Sequence, residues 1–344
     1  MLEKPDISLA RIAACLQAAY GITAVQLLFL PLGADQNTAV YRSETNDKTA
    51  YFLKLRSGVF EETTVTLPHF LHDQGLRQII APLTTKTGQL WTRLDGFTAI
   101  LYPFVDGRNG REVKLSSAQW TAFGAALKKL HTLTTPPAIR ANLRQEGFSP
   151  RWRAMVKMFL ERVRSGVYDD PVALELAAFL HSRRAEILDL VQRAEQLAES
   201  LARESLEFVL CHADIHASNV LVDGRDALYI VDWDDPLLAP KERDLMFIGG
   251  AQGFVGYNAQ SEEALFYQGY GPVALNPRAL AYYRYERIIE DIALYCEQLL
   301  LSNTGGQDRA QSLRYLVSNF LPDGTIEAAR RVDKRDDLSF GGLK

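Results

Sequence analysis

A short stretch in the second half of the chain limits its fold more than any other, because it combines a hairpin pattern with a cluster of polar side chains. Two apolar runs, Val220–Val222 and Leu228–Val231, lie on either side of an Asp-Gly dipeptide. This is the pattern of two short strands joined by a turn. A hairpin brings the residue before its first strand next to the residue after its second. Asn219 and Asp232 are therefore expected at the same end of the hairpin.

The polar side chains at this end suit a hard divalent cation. Mg²⁺ prefers oxygen ligands and usually takes one or two protein groups, with phosphate and water supplying the rest. The Asn219 amide and the Asp232 carboxylate would meet that need beside a nucleoside triphosphate. Asp214 lies on the loop that leads into the first strand, and it is placed to orient or deprotonate a hydroxyl group as a catalytic base.

Two other interpretations of the same stretch are open. Asp and Asn are common in turns, so these side chains could serve only to cap a loop. Alternatively, His212, Asp214 and His216 could bind zinc, since imidazole and carboxylate groups are suitable ligands. A zinc site would need further His or Cys ligands. The other four histidines fall in segments that are predicted to be helical, with no paired ligand close by in the sequence.

Length and composition favour a two-lobed protein and argue against several functional classes. At 344 residues the chain exceeds an average domain and can bury one large core or two coupled cores. Its net charge of −4 is unlike that of a general nucleic-acid binder, and no apolar run reaches membrane-spanning length. Three scattered cysteines fit a reducing compartment. We therefore expect no nucleic-acid partner, no membrane partner and a cytoplasmic location.

Charge is unevenly distributed along the chain. Residues 207–301 contain fifteen Asp or Glu and six Lys or Arg, which gives this region a net charge of −9. Because the region holds the polar cluster, its field would attract a cationic molecule. The expected partner is a small cationic substrate.

The first 102 residues have the pattern of a β-rich lobe. After a helix capped by Ser8, β patterns recur at Val25–Leu30, Ala39–Arg42, Ala50–Leu55, Ile79–Leu83, Gly88–Trp91 and Phe97–Tyr102. The polar loop over residues 31–38 has donors that could cover a phosphate, and a plain hairpin loop is the alternative interpretation. We expect residues 1–102 to form an N-terminal lobe of antiparallel strands with a helix, and this lobe to bind a nucleotide.

Lys54 is the candidate phosphate-binding residue of this lobe. It ends the third strand and alternates out of step with its apolar neighbours, so its ammonium group would face a cleft. Glu61 and Glu62 open the next helix, and one of them, by preference Glu62, could pair with Lys54, which would hold the lysine on the α and β phosphates of a nucleotide. Pro68 lies inside that helix and should kink or divide it. A lysine exposed to solvent is the simpler alternative.

The segment over residues 103–107 is predicted to be a hinge. It ends the last strand with Pro and Gly around bulky side chains, and backbone groups near Pro103 and Val105 could hydrogen-bond an adenine edge. An ordinary loop is the alternative. Residues 108–330 are predicted to form a larger, mainly helical lobe for catalysis and substrate binding, with a capping box at Ser116 and a long helix beginning at Pro277. Residues 331–344 are predicted to be a disordered tail. The expected fold class is α+β.

The order and spacing of these residues resemble the aminoglycoside phosphotransferase family, whose members have a protein-kinase-like two-lobe fold. The runs His212–Asn219 and Val231–Asp234 look like its catalytic loop and metal-binding segment, and the match spans nearly the full length. The resemblance implies Asp214 as catalytic base, Lys54 as phosphate binder, and ATP bound at the hinge.

The same resemblance implies Asn219 and Asp232 as Mg²⁺ ligands, and an Asp244 carboxylate that accepts backbone N–H groups of the catalytic loop. The implied reaction is ATP-dependent transfer of the γ-phosphoryl group to a hydroxyl of a cationic aminocyclitol, with spectinomycin as the candidate. Asp235 and Glu290 are candidate substrate-binding acids. Two alternatives are a kinase of a small metabolite alcohol such as choline or homoserine, and a regulatory pseudokinase.

Overall fold

The structure is a computed structural model that describes residues 4–31, 37–302, 306–335 and 338–340. The chain divides into two compact units, each built from separate segments. The first unit contains residues 1–113, 133–143 and 218–236, and the second contains residues 114–132, 144–217 and 237–344. Residues 103–107 form the end of a strand, a three-residue connection without regular structure and the start of the next strand, within the first unit.

The described residues form the following strands: β1 Gln26–Leu30, β2 Thr38–Glu44, β3 Ala50–Arg56, β4 Thr92–Leu94, β5 Phe97–Pro103, β6 Gly107–Asn109, β7 Arg144–Gln145, β8 Val209–Cys211, β9 Val220–Asp223, β10 Leu228–Ile230, β11 Leu237–Ala239, β12 Val273–Leu275 and β13 Leu338–Phe340. The helices are α1 Leu9–Tyr20, α2 Thr63–Asp73, α3 Ser117–Thr132, α4 Pro137–Arg140, α5 Arg151–Ser165, α6 Pro171–Ser182, α7 Arg184–Leu201, α8 Glu242–Leu245, α9 Ala259–Tyr270, α10 Pro277–Leu301, α11 Gly306–Ser318 and α12 Thr325–Asp333, with a 3₁₀ turn at Ala217–Asn219.

The main sheet of the first unit has five strands in the order β1-β2-β3-β5-β4, and all neighbouring pairs are antiparallel. Helix α1 begins at the predicted cap, where the Ser8 side chain accepts the Arg11 N–H, and ends at Gly21 with a φ of 74°. Its buried face packs with the sheet in one apolar cluster that includes Leu16, Tyr41 and Leu53. The predicted β-rich lobe is therefore built around a core of alternating strand residues.

Two of the strands predicted for this unit are wrong. Ile79–Leu83 forms an isolated bridge at Ile79, to Ile230, and Gly88–Trp91 is not a strand, since β4 begins at Thr92. Both predictions depended on short apolar runs, which indicate burial but not strand pairing. Helix α2 continues through Pro68, so of the two expected outcomes, a kink or a division, the division does not occur.

The second unit is mainly helical and is organised around α10. This helix packs on α5, α7, α11 and α12, while α3 packs on α9. The α3–α9 contact is close, because a Cβ at Gly124 or Gly269 would collide with the backbone of the other helix. Strand β8 of a small sheet in the order β7-β11-β8 leads into the loop that holds Asp214. An antiparallel sheet and a helical remainder confirm the predicted α+β class.

Side-chain caps specify where two of the predicted helices begin. The Ser116 hydroxyl accepts the Gln119 N–H and the Gln119 side chain accepts the Ser116 N–H, which confirms the capping box. The Asn276 side chain accepts two N–H groups at the start of α10. Helix α12 continues to Asp333, and β13 pairs with β12, within the segment that was predicted to be disordered. None of the helices described combines the length and apolarity needed to cross a membrane.

Candidate active site

The β9–β10 hairpin places Asn219 and Asp232 at the same end. Val220 pairs with Ile230, and the Val231 N–H donates to the Asn219 carbonyl at 2.9 Å. Asp232 follows at once, with a φ of 69° that residues other than glycine rarely adopt. The predicted hairpin is confirmed. An amide oxygen and a carboxylate at its end form a donor set that suits Mg²⁺.

A buried tryptophan holds the segment after the hairpin. The Trp233 ring is buried and its Nε1 donates to the Ile230 carbonyl at 3.1 Å. The two carboxylates on either side of it, Asp232 and Asp234, both approach Lys54. Because Trp233 is anchored in the core, both neighbouring carboxylates are oriented toward the Lys54 ammonium group.

Lys54 is held by carboxylates of the first unit. Its Nζ lies 2.8 Å from both oxygens of Asp234 and 3.4 Å from Oδ1 of Asp232, and the Arg56 guanidinium lies 3.2 Å from Asp234. Burial lowers the pKa of Lys54, but the two carboxylates more than offset this, so the net shift is upward. The lysine therefore stays protonated. Burial also raises the pKa of the neighbouring Tyr102 to about 12.

Glu62 is not the partner of Lys54 in the described part of the chain. It is exposed, it precedes α2, and its side chain does not cap that helix. Asp234 provides the carboxylate contact that was expected from a glutamate. The sequence signal for Asp234 was its place in the same Asp-Trp-Asp segment as Asp232, two residues further along the chain.

The residues predicted to bind the adenine lie in another part of the first unit. Pro103 and Val105 line a cavity of about 950 Å³, and neither Lys54 nor Asp232 is among its described lining residues. Of the predicted phosphate-covering loop over residues 31–38, residues 32–36 lie outside the described residues.

Asp244 fixes the loop that carries Asp214 in the second unit. Its carboxylate is fully buried and accepts the His212 N–H at 3.0 Å and the Ala213 N–H at 2.6 Å. His131 Nε2 lies 3.0 Å from the same group. Ala213 has a φ of 74°, a strained conformation that these hydrogen bonds stabilise. The predicted role of Asp244 as acceptor of loop N–H groups is confirmed.

Asp214 forms an ion pair with Arg287 of α10. Nη1 of Arg287 lies 2.6 Å from Oδ1 of Asp214, and Nε2 of His216 lies 3.5 Å from Oδ2. Burial raises the pKa of Asp214, but Arg287, His216 and other cationic groups outweigh burial, so the pKa is lowered. Asp214 is therefore ionised near neutral pH. Arg287 lies 73 positions away in sequence, and no local pattern indicated it.

The candidate substrate-binding acids lie in different units. Asp235 is exposed and belongs to the first unit, and Glu290 is half-buried on α10 in the second.

The predicted zinc alternative is not favoured by the ligand geometry. Among the described residues, the group with three ligand atoms close together is His131, Cys211 and Asp244. The Asp244 oxygens in that group already accept N–H groups, and burial raises the pKa of the Cys211 thiol well above its usual value.

Comparisons with known proteins cover most of the chain. The model of the phosphotransferase enzyme family matches residues 29–274. The crystal structure of spectinomycin phosphotransferase in complex with ADP and spectinomycin has a TM-score of 0.90 and 37% identity, covering 96% of this chain and 99% of that chain. An AMP-bound complex of that enzyme has a TM-score of 0.85 and 35% identity, covering 94% and 98%. Protein StrN of Streptomyces griseus is 25% identical over 227 residues, which are 63% of this chain and 67% of StrN.

Proposed function

The chain belongs to the phosphotransferase enzyme family, and from that premise we propose that it transfers the γ-phosphoryl group of ATP to a hydroxyl group of spectinomycin. The observation that carries this proposal is the likeness to spectinomycin phosphotransferase, at 37% identity over 96% of the chain. Its substrate is a cationic aminocyclitol, in agreement with the acidic character of residues 207–301.

In the proposed reaction Asp214 is the catalytic base. It would accept the hydrogen bond of the acceptor hydroxyl and take its proton as the phosphoryl group is transferred. Its lowered pKa supports this role, since a base must be ionised at the working pH. About a third of its side-chain surface, 36%, is exposed, so a substrate can reach it.

Asn219, Asp232 and Lys54 would hold the nucleotide phosphates. The amide and carboxylate oxygens would bind Mg²⁺, which when bound neutralises phosphate charge. Lys54 is kept cationic by Asp232 and Asp234 and would bind the α and β phosphates. Backbone groups near Pro103 and Val105 would bind the adenine.

Asp235 and Glu290 are the acids that we assign to the cationic acceptor. Asp235 is exposed and lies close in sequence to the proposed metal ligand Asp232, and Glu290 is half-buried on the same helix as Arg287. Replacing either acid by its neutral amide should raise the KM for spectinomycin more than the KM for ATP, because only the acceptor would lose an ionic contact.

A screen of ADP release tests the proposed function. The purified protein is given ATP and Mg²⁺ with spectinomycin, an aminoglycoside, choline or homoserine, and Asp214→Asn serves as the control for contaminating kinases. We expect acceptor-dependent ADP release with spectinomycin that the variant lacks. If ADP is released only with choline or homoserine, spectinomycin is not the acceptor, but the protein is still an ATP-dependent kinase. A protein without any transfer or ATPase activity would instead be a pseudokinase.

A further inference from the structure

Arg287 contacts the proposed catalytic base on one side and a second acid of its own helix on the other. Its Nη1 lies 2.6 Å from Oδ1 of Asp214, while its Nε lies 3.2 Å from Oδ1 of Asp291, one turn further along α10. The Asn319 amide lies 3.5 Å from the other oxygen of Asp291. The guanidinium thus has an ionic contact with Asp291 on one side, although its buried Nε has no hydrogen-bond partner among the described residues, and it presents its other side to Asp214.

We infer that Arg287 is a positioning residue that fixes the Asp214 carboxylate for its work on the acceptor hydroxyl; the inference rests on the proposed function of Asp214. A guanidinium is planar and stays charged at every working pH, so it holds a carboxylate oxygen in a defined direction. Arg287 engages Oδ1 at 2.6 Å, and Nε2 of His216 lies 3.5 Å from Oδ2. The Arg287 contact therefore fixes the orientation of the Asp214 carboxylate.

The charges around the pair support this arrangement. Burial alone would raise the pKa of Asp214, and the largest opposing charge is that of Arg287, with His216, His212 and Arg243 adding to it. Burial lowers the pKa of Arg287 in turn, but Asp291, Asp214 and Glu290 outweigh burial. Since Arg287 faces three acids, its charge is shared, and the Asp214 carboxylate stays able to accept a proton.

Two substitutions at Arg287 separate charge from geometry. Arg287→Gln removes both the charge and the planar guanidinium with its N–H donors. We expect kcat to fall about 10- to 100-fold, because misplacing a catalytic group by a fraction of an ångström has effects of this order. Arg287→Lys keeps the charge but not the planar fork, so it should recover part of the loss. The KM for ATP should change by less than about threefold in both variants, since Arg287 acts on the acceptor step.

A matched control distinguishes positioning from loss of helix anchoring. Arg153 forms an ion pair of the same length, 2.6 Å, with Glu286, the residue just before Arg287 on α10. Arg153→Gln therefore removes an ion pair of the same length from the same helix, together with the hydrogen bonds of Arg153 to Tyr282 and to two backbone carbonyls, without changing a contact of Asp214. It should lower the melting temperature but, measured well below that temperature, keep kcat within about threefold of the parent. An equal loss of kcat in Arg153→Gln and Arg287→Gln would overturn the inference.

The Asp214→Asn background supplies a second test that does not depend on Arg153. If Arg287 acts through Asp214, adding Arg287→Gln to Asp214→Asn should leave the residual transfer from radiolabelled ATP unchanged. A further loss of ten-fold or so would overturn the inference. The single variants also separate it from the proposed function: full turnover by Asp214→Asn would refute the role of Asp214, whereas an inactive Asp214→Asn beside a fully active Arg287→Gln would refute only the role of Arg287.

Discussion

Replacing Asp214 and replacing Asp232 should affect turnover and nucleotide affinity differently. Asp214→Asn should abolish turnover with little change in nucleotide affinity, because Asp214 acts on the acceptor hydroxyl. Asp232→Ala should weaken Mg²⁺-nucleotide binding as well as turnover, because it removes a proposed metal ligand. Calorimetric titration with Mg²⁺ and a non-hydrolysable ATP analogue, alongside steady-state kinetics, measures both effects. An equal loss of nucleotide affinity in the two variants would refute this division of roles.

The pH dependence of the Arg287→Gln variant should differ from that of the parent. The lowered pKa keeps Asp214 ionised in the parent, so its contribution to kcat/KM is present above that pKa and is lost only as the pH falls through it. Without Arg287, burial should raise the pKa of Asp214. The ratio of variant to parent kcat/KM should then fall between about pH 8 and about pH 5.

Other cationic groups that face Asp214 are common to the two proteins. His212 and His216 on its own loop, and Arg243 of α8, also lower the pKa of Asp214, and none of them is changed in the variant. Kinetics in a buffer series of constant ionic strength give the ratio directly. A ratio that does not change with pH would mean that Arg287 does not control the ionisation of Asp214.

The residues of the site were predictable to different degrees. Asn219 and Asp232 could be placed together because a hairpin is a local structure, and the Val231–Asn219 hydrogen bond confirms the pairing. Arg287 could not be predicted, because its contact with Asp214 depends on how α10 packs on the rest of its unit. Glu62 was expected beside Lys54 by analogy with kinases, but Asp234 lies there instead.

At the scale of elements, α9 carries a buried acid that should make stability depend on pH. Glu262 is 4% exposed, and burial raises its pKa to about 7, although the Gly249 N–H that it accepts acts in the opposite direction. The folded state therefore holds a proton that the unfolded state releases. This contribution to the free energy of unfolding is fully present below the unfolded pKa of 4.5 and is lost as the pH rises through about 7.

Glu262→Gln should remove this loss. The variant keeps an oxygen that can accept the Gly249 N–H, so it should gain stability over the parent by roughly 1 to 3 kcal/mol on going from about pH 5 to about pH 8.5. Urea denaturation at the two pH values measures the difference. Glu286, whose pKa burial also raises to about 7, is common to both proteins and cancels. A parent and variant with parallel pH profiles would contradict the prediction.

Caps made some elements predictable, and their absence explains the errors. Ser116 and the Asn276-Pro277 pair specify helix starts through side-chain hydrogen bonds of their own, which tertiary packing does not change. The run Ile79–Leu83 has no such signal. It contains Pro82, which cannot donate to a strand partner, and its residues line a cavity in the first unit.

For the whole molecule, ionic strength should affect capture of the acceptor more than chemistry. Spectinomycin carries two amines that are largely protonated near neutral pH, and residues 207–301 carry a net charge of −9. Raising salt from about 0.05 M to about 0.5 M should raise the KM for spectinomycin, while kcat changes less, because salt screens long-range attraction.

The effect should be moderate. Asp214, Asp232 and Asp234 each face a cationic side chain, so their contribution to the long-range field is partly cancelled. Sucrose at equal osmolality is the control for general effects of solutes. A KM for spectinomycin that does not depend on salt would mean that the acidic region has no part in capturing the substrate.

Mass spectrometry of spectinomycin after incubation with the protein, ATP and Mg²⁺ tests the central claim most directly. The proposed function predicts one added phosphoryl group on the drug, formed by the parent and not by Asp214→Asn. Unmodified spectinomycin, under conditions in which the same preparation phosphorylates choline, homoserine or another small alcohol, would contradict it.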